Sequence, residues 1–161
     1  MSHVDKLSIK KIKILDQLVN YSYENCNNIK RSIHCAAVVQ NGKILTYGKN
    51  TSRSLLRRCC LTSIHAEVDA LHKYQTMHST NSKISLWVIR RSKNKLANSR
   101  PCSACLKSIK QFNIHKIYYS TSEGTICEMK VKEFNVSYET RVQNQFPEYK
   151  NSWHIFRNTN S

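Results

Sequence analysis

The chain has 161 residues, 40% of them hydrophobic, and carries 26 Lys and Arg against 10 Asp and Glu. No run approaches the roughly 20 apolar residues of a membrane-spanning helix, and the polar, basic N-terminus lacks the apolar core of a signal peptide. We therefore expect an intracellular protein without a membrane partner. The length suits a single domain over 1–161, with its core at about 5–135 and a C-terminal extension at 136–161.

The net charge of +16 creates a field that attracts polyanions. Because the basic residues are scattered, this charge is equally compatible with a solubilising surface and with contacts to nucleic acid or phosphate. The seven cysteines are an odd number and follow no secretory signal, which favours free thiols over a disulfide framework. Five of them are expected to be small buried or half-buried residues: Cys26, Cys35, Cys59, Cys60 and Cys127.

In chain order, apolar residues recur every three or four positions over about 4–24 and predict an amphipathic helix. Two apolar runs, 34–39 and 43–47, flank Asn41-Gly42. Asn-Gly suits the positive φ angles of a two-residue hairpin turn, so we predict two antiparallel strands. An irregular loop is expected over 48–63.

The second half alternates between helical and strand patterns. Ile64 to Tyr74 predicts a helix capped by Thr62 or Ser63, and Pro101 suits the start of another helix. The remaining segments are assigned as follows: a buried strand at 84–89, a polar loop at 92–100, a strand at 114–119, a turn at 122–124, and a further strand then a short helix at 126–134. This order predicts an α/β sandwich around a mixed sheet.

Two of the predicted helix starts carry metal-binding residue types. One contains His65-Ala66-Glu67, and the other contains Pro101-Cys102-Ser103-Ala104-Cys105. Two thiolates one helical turn apart and an imidazole supply three tetrahedral ligands and leave one position open, which is the pattern of catalytic zinc. A closed structural site would need a fourth ligand, for example Cys59, Cys60 or His72.

Glu67 is the expected proton carrier beside that metal. Two residues after His65, its carboxylate can lie near the open position without binding the ion. Zinc lowers the pKa of bound water from about 15.7 to about 7, so hydroxide is available at neutral pH. Glu67 would take a proton from this water and pass it to a ring nitrogen.

H-x-E followed by P-C-x-x-C is the signature of zinc nucleobase deaminases, and over about residues 10–134 the chain resembles the cytidine deaminase-like superfamily. The resemblance implies a three-layer α/β/α sandwich around a five-stranded mixed sheet. It also implies that His65, Cys102 and Cys105 bind Zn²⁺, that Glu67 is catalytic, and that the Ala66 backbone and Asn50 contact substrate. Relatives often form dimers or tetramers, so a homo-oligomer is expected.

Three aromatic residues and two histidines are further candidates for the pocket. Trp87, Tyr118 and Tyr119 are assigned to the core, with a place near the base as the alternative. His34 and His115, at strand starts, are expected to be structural.

The branch within the superfamily is not fixed by the sequence. Residues 34–50 and the Ile-His-Ala-Glu run resemble the deoxycytidylate and tRNA-adenosine branch. Residues 119–126 resemble free cytidine deaminases, whose last strand is antiparallel, whereas editing enzymes usually run that strand parallel. The favoured function is zinc-dependent deamination of cytosine in a small nucleoside or nucleotide. The alternatives are editing of single-stranded RNA or DNA, and a non-catalytic basic protein that binds nucleic acid with a deaminase fold.

Overall fold

A computed structural model describes residues 7–26, 33–54, 61–78 and 82–134, with only the backbone described at 51–54 and 61–63. Its elements in chain order are α1 (Ile9–Asn25), β1 (Ile33–Gln40), β2 (Lys43–Lys49), β3 (Thr51–Ser54), β4 (Leu61–Ile64), α2 (Ala66–Met77), β5 (Ile84–Ser92), β6 (Lys95–Ala97), α3 (Ser103–Ile109), β7 (Ile114–Ser120), β8 (Ile126–Lys130) and a 3₁₀ turn (Val131–Glu133). In these ranges, no helix has the length and apolar character needed to cross a membrane.

The main sheet has the strand order β2-β1-β5-β7-β8, with β6 paired to the end of β5. Only the β5–β7 pair is parallel, and α3 lies on the connection between these two strands. The β1–β2 hairpin has Asn41 and Gly42 at φ 51° and 77°, as the Asn-Gly turn requires. The predicted mixed sheet and the predicted β1–β2 hairpin are confirmed. The direction of the last strand, which the sequence left open, is antiparallel in the β7–β8 pair.

The two faces of the sheet pack against different helices. Along β1 and β5, alternate residues such as Ala36 and Val88 join the core formed with α2 and α3. The residues between them, such as Ala37 and Trp87, join the core formed with α1. Because both faces of these strands are buried, their sequences are continuously apolar instead of alternating. The result is the expected three-layer α/β/α sandwich.

Two short strand pairs lie where loops were predicted, and those predictions are wrong. Within 48–63, β3 pairs antiparallel with β4, and within 92–100, β6 pairs with the end of β5. Neither segment has a run of alternating apolar residues, and the β5–β6 turn places Lys93, not Gly, at φ 55°. Their pairing rests on main-chain hydrogen bonds, which leave no hydrophobic pattern in the sequence.

The predicted helix starts were also wrong by a few residues. α2 begins at Ala66 with His65 as its N-cap, instead of Thr62 or Ser63, and α3 begins at Ser103 with Cys102 as its N-cap. The His65 side chain makes no capping hydrogen bond to α2, and the Cys102 sulfur instead pairs with His65 and with Cys105 in the first turn of α3. The usual preference for a Ser or Thr cap does not apply here because these two side chains have other contacts.

The face of the strand on which each residue lies also determines where the three aromatic side chains pack. Trp87 and Tyr118 stack with ring centroids 4.2 Å apart in the core beneath α1, so a place near the base is wrong for both. Tyr119 lies on the opposite face, in the core with α2 and α3, where its ring meets Phe134 edge-on at 5.9 Å.

Candidate metal centre and active site

Two helix N-termini meet at one edge of the sheet and bring the predicted metal ligands together. His65 and Cys102, as N-cap residues, have extended backbones (ψ 151° and 171°) that turn their side chains out of the helices. Cys105 follows in the first turn of α3. His65 Nδ1 lies 3.1 Å from Cys105 Sγ and 3.6 Å from Cys102 Sγ. The same side-chain atom of His65 therefore faces both sulfurs.

The three donor atoms, His65 Nδ1 and the two sulfurs, form a site that fits zinc. They lie within 4.8 Å of one another, and both cysteines are buried. One imidazole and two thiols are the donor types that zinc prefers. Within the described ranges no further His, Cys, Asp or Glu joins the group. His72 is exposed on α2 and is not part of it, while Cys59 and Cys60 lie outside the described residues.

The two cysteines titrate as a pair. The hydrogen bond from Cys105 lowers the pKa of Cys102 to about 4, and the bond to His65 acts in the same direction. The pKa of Cys105 is raised well above its ordinary value by the hydrogen bond to Cys102, by burial and by the charge of Glu67. The pKa of His65 is raised because its hydrogen bond to Cys102 and the charge of Glu67 outweigh burial. The first sulfur is thus ready to act as a thiolate ligand, and a bound cation would favour ionisation of the second.

Glu67 lies in the first turn of α2 and is only 5% exposed. Burial raises the pKa of its carboxyl group, opposed by the charge of His65 and a hydrogen bond with Cys105. Among the described residues it contacts the donor group but is not part of it. A carboxyl group with a raised pKa beside a metal site is suited to holding and returning a proton near neutral pH.

Asn50 and Ala66 lie at the same edge. The side-chain oxygen Oδ1 of Asn50 accepts a hydrogen bond from the backbone N–H of His34 at 2.9 Å, and Asn50 N donates to His34 O at 3.1 Å. These two bonds fix the amide so that its nitrogen Nδ2 is the remaining polar atom. Ala66 is fully buried at the first position of α2, where a backbone N–H has no acceptor within the helix.

Two buried serines hold the segment before α3, and no motif or periodicity in the sequence points to them. Ser99 Oγ donates to Val88 O at 2.8 Å and accepts from Ser120 N at 2.8 Å. Ser120 Oγ donates to Ala97 O at 2.5 Å and accepts from Arg90 N at 3.1 Å. The pair ties the chain just before Cys102 to the ends of β5 and β7.

His34 also lies near the site, and its backbone bonds to Asn50 fit the structural place expected for it. Burial lowers the pKa of His34 to about 4, and the nearby charges of Arg90 and His65 contribute to that shift. Arg90 is the cross-strand neighbour of His34. His115 is structural as expected, because its Nδ1 donates to Ile84 O at 2.7 Å.

Strand alternation from Val88 would have placed Arg90 on the same face as α2 and α3.

The chain is similar to two solved structures of a dCMP deaminase from the cyanophage S-TIM5. Its apo form is 29% identical, with a TM-score of 0.50 over 72% of this chain and 85% of that chain. Its complex with dCMP and dUMP is 26% identical, with the same score and coverage. A cytidine deaminase from Burkholderia pseudomallei, 15% identical with a TM-score of 0.51 over 73% of this chain and 93% of that chain, shares the fold.

A search of the curated proteins gave no match. The family model described as the cytidine and deoxycytidylate deaminase zinc-binding region matches residues 9–121, which include all three donor residues and Glu67. Together with the grouped donors, this match makes zinc the cofactor of the site. The chain belongs to the cytidine and deoxycytidylate deaminase family.

Proposed function

We propose that the protein is a zinc-dependent hydrolytic deaminase that converts cytosine to uracil in a small nucleoside or nucleotide. The observation that carries the proposal is the grouping of His65, Cys102 and Cys105 beside the buried carboxyl group of Glu67. A purely structural metal site gives no chemical reason to bury an acid that is not a ligand.

In the proposed reaction, His65, Cys102 and Cys105 hold zinc, which when bound supplies a water whose pKa is lowered to about 7. Glu67 accepts a proton from the attacking water and delivers it to N3 of the cytosine ring. A C–O bond forms at C4, Glu67 moves the remaining proton of the new C4 hydroxyl group to the amino group, and the C4–N bond breaks, so that water and cytosine give uracil and ammonia. Burial of Glu67 keeps competing water from its carboxyl group and supports its alternation between acid and base.

Two further residues are proposed to orient the substrate. Asn50 would contact the sugar or base through its amide nitrogen, because its oxygen is held by His34. The backbone of Ala66, between His65 and Glu67, would contact the base. Both roles follow from the family and from the position of these residues at the metal-bearing edge of the sheet.

The antiparallel β8 supports a small substrate over a polynucleotide. In the superfamily this direction resembles free cytidine deaminases, and a phage dCMP deaminase similar to this chain has been seen in complex with dCMP and dUMP. The net charge of +16 favours the second candidate, editing of single-stranded RNA or DNA. That reading requires affinity for polyanions that falls steeply with salt.

A substrate panel separates the two. Zinc-replete protein is incubated with cytidine, deoxycytidine, their monophosphates and a cytosine-containing oligonucleotide, and ammonia release is followed. We expect turnover of at least one monomer and none of the oligonucleotide. Turnover of the oligonucleotide alone would establish editing instead, and turnover of none would contradict the proposed enzyme.

Glu67→Gln tests the mechanism with the smallest change of shape. We expect kcat to fall by about 10²-fold to 10⁴-fold while zinc content stays at the level of the unaltered protein. The matched control is Glu123→Gln, at an exposed turn, which should leave kcat unchanged. Normal turnover by Glu67→Gln would show that the proton carrier is another group.

Three broader expectations stay predictions. A single domain over 1–161, with residues 136–161 as an extension outside the described part of the chain, can be checked by limited proteolysis. A homo-oligomer can be checked by light scattering, and an intracellular location by fractionation.

A further inference from the structure

Arg90 lies on the face of the sheet that carries the metal centre. Within β5 it follows Val88 by two positions, and Val88 packs in the core that includes Cys102 and Cys105. Side chains two apart on a strand share a face. Across the ladder Arg90 pairs with His34, whose backbone N–H and carbonyl are hydrogen-bonded to Asn50 at the edge that carries the metal centre. The guanidinium therefore belongs to the surroundings of the proposed active site.

The guanidinium of Arg90 lacks a partner in the described part of the protein. Its Nε is buried without a hydrogen bond, and no carboxylate within those ranges forms an ion pair with it. A half-buried guanidinium with an unpaired buried donor costs free energy unless a ligand accepts a hydrogen bond from it.

The next residue on the same strand is an arginine whose hydrogen-bond donors have partners. Arg91, on the opposite face, donates to the hydroxyl and carbonyl oxygens of Ser22 at 3.1 and 3.2 Å. Its guanidinium also lies 4.0 Å from the centre of the Tyr23 ring. Arg91 thus anchors α1, whereas no described residue gives the guanidinium of Arg90 a comparable contact.

We propose that Arg90 binds the phosphate group of the substrate, so that the enzyme prefers cytosine nucleoside monophosphates to nucleosides. This inference rests on the proposed function. The planar guanidinium offers a fork of N–H donors that matches two phosphate oxygens, and it remains charged at all working pH values. An uncharged base or sugar could accept one hydrogen bond but would leave the cation uncompensated. Phosphate supplies both the acceptors and the negative charge.

The test compares Arg90→Gln with the unaltered enzyme on dCMP and on deoxycytidine. We expect KM for dCMP to rise about 10-fold to 100-fold, with kcat/KM for deoxycytidine changed less than about 2-fold. Arg90→Lys should recover part of the dCMP affinity. Lys95→Gln, an exposed change in the same hairpin, removes one charge without touching the site and should change neither KM. Melting temperatures check that each variant is folded.

Binding of products tests the same contact without turnover. By calorimetry, the unaltered zinc-loaded protein should bind dUMP at least about 10-fold more tightly than deoxyuridine, and Arg90→Gln should remove that difference. Equal affinities for dUMP and deoxyuridine in the unaltered protein would overturn the proposal. It would also be overturned if the Arg90→Lys variant lost affinity for dUMP and for deoxyuridine to the same extent. If no monomer is deaminated but the dUMP preference depends on Arg90, the proposed function fails and the phosphate site stands.

Discussion

Gly48 lies directly against the backbone of Ala66, at the first position of α2. A Cβ atom at position 48 would lie 2.2 Å from the Ala66 carbonyl oxygen and 2.4 Å from the Ala70 amide nitrogen. Both neighbours are main-chain atoms of a helix, so they cannot move aside singly. The missing side chain of Gly48 therefore sets how closely α2 approaches β2, and with it the positions of His65 and Glu67.

Gly48→Ala should consequently damage both stability and catalysis. Overpacking of this kind costs about 1–3 kcal/mol in the free energy of unfolding, because α2 must move away from the sheet. We expect kcat/KM at a temperature where the variant is still folded to fall by more than about 10-fold, since displacement of Glu67 alters the reacting geometry. Urea unfolding and steady-state kinetics measure the two effects.

Gly42→Asn is the matched control in the same hairpin. Gly42 has φ +77° and nothing within 4 Å of its hypothetical Cβ, and Asn tolerates this conformation better than other residues. Its stability should change by only a few tenths of a kcal/mol, with activity retained. Equal losses in the two variants would indicate a general sensitivity of the hairpin to substitution.

The sequence predicted the grouping of His65, Cys102 and Cys105 better than the surroundings of that group. His65, Cys102 and Cys105 were found because metal coordination requires particular residue types at a short spacing. The close contact of Gly48 with Ala66 has no such signature, because a glycine in a strand looks the same whether it faces solvent or a helix. Arg90 was likewise hidden, since an arginine at a strand end is normally a surface residue.

The helix starts were predicted wrongly for the same reason, because they depend on contacts that the sequence does not show. The preference for a Ser or Thr cap describes helices whose cap side chain bonds the helix itself. At α2 and α3 the cap positions are held by His65 and Cys102, whose side chains face each other across the site. The functional contact overrides the local preference, so only the three-dimensional arrangement reveals the true boundaries.

Removal of zinc should loosen the junction of α2 and α3. A ligand that binds only the folded state stabilises it by about 4 kcal/mol when present at 1,000 times its Kd. We expect a chelator to lower the melting temperature and abolish activity, and added zinc to restore both. Cys105→Ser should lose bound metal. Metal analysis with thermal unfolding measures these changes.

Cys127→Ser provides the matched control for that substitution. Cys127 is a half-buried free cysteine on β8, outside the group of metal donors. Its replacement should leave zinc content and the response to the chelator unchanged. Zinc loss in this variant, or full zinc content in Cys105→Ser, would contradict the assignment of the ligands.

Ser120→Ala should affect the active site from a distance. The hydroxyl group accepts from Arg90 N and donates to Ala97 O, and both of these groups lose a partner when it is removed. An unsatisfied buried polar group costs about 1–3 kcal/mol. Because the Ser99–Ser120 pair holds the chain before Cys102, we expect weaker zinc binding as well as lower stability, measured by metal competition and urea unfolding.

Ser122→Ala distinguishes this effect from a general sensitivity of the β7–β8 hairpin. Ser122 is exposed in the turn, and among the described residues its hydroxyl group bonds its neighbour Glu123. Its loss should leave zinc affinity unchanged. A Ser120→Ala variant that is destabilised but binds zinc with full affinity would show that the serine pair supports the fold without positioning Cys102.

Glu128 on β8 should make stability depend on pH through its contacts with α1 and β7. Its carboxylate lies 2.6 Å from Lys11 Nζ and also pairs with Lys116, while Tyr118 lies nearby. Burial raises the pKa of Glu128, but hydrogen bonds and charges from the two lysines outweigh it and hold the pKa at about 2, below the ordinary 4.5. The folded state therefore binds this proton more weakly than the unfolded state.

The stabilising contribution of Glu128 is accordingly complete above pH 4.5 and disappears as the pH falls towards 2. The pairs are one-third exposed, so solvent screening limits the contribution to roughly 1 kcal/mol in total. Glu128→Gln should lower the free energy of unfolding by this amount at pH 6 and by much less at pH 2.5, in urea titrations at each pH. Glu133→Gln, whose longer pair with Lys130 is more exposed, should cost less at pH 6. A Glu128→Gln penalty that is the same at both pH values would show that the side chain acts through packing, because only the ionised carboxylate attracts the two lysines.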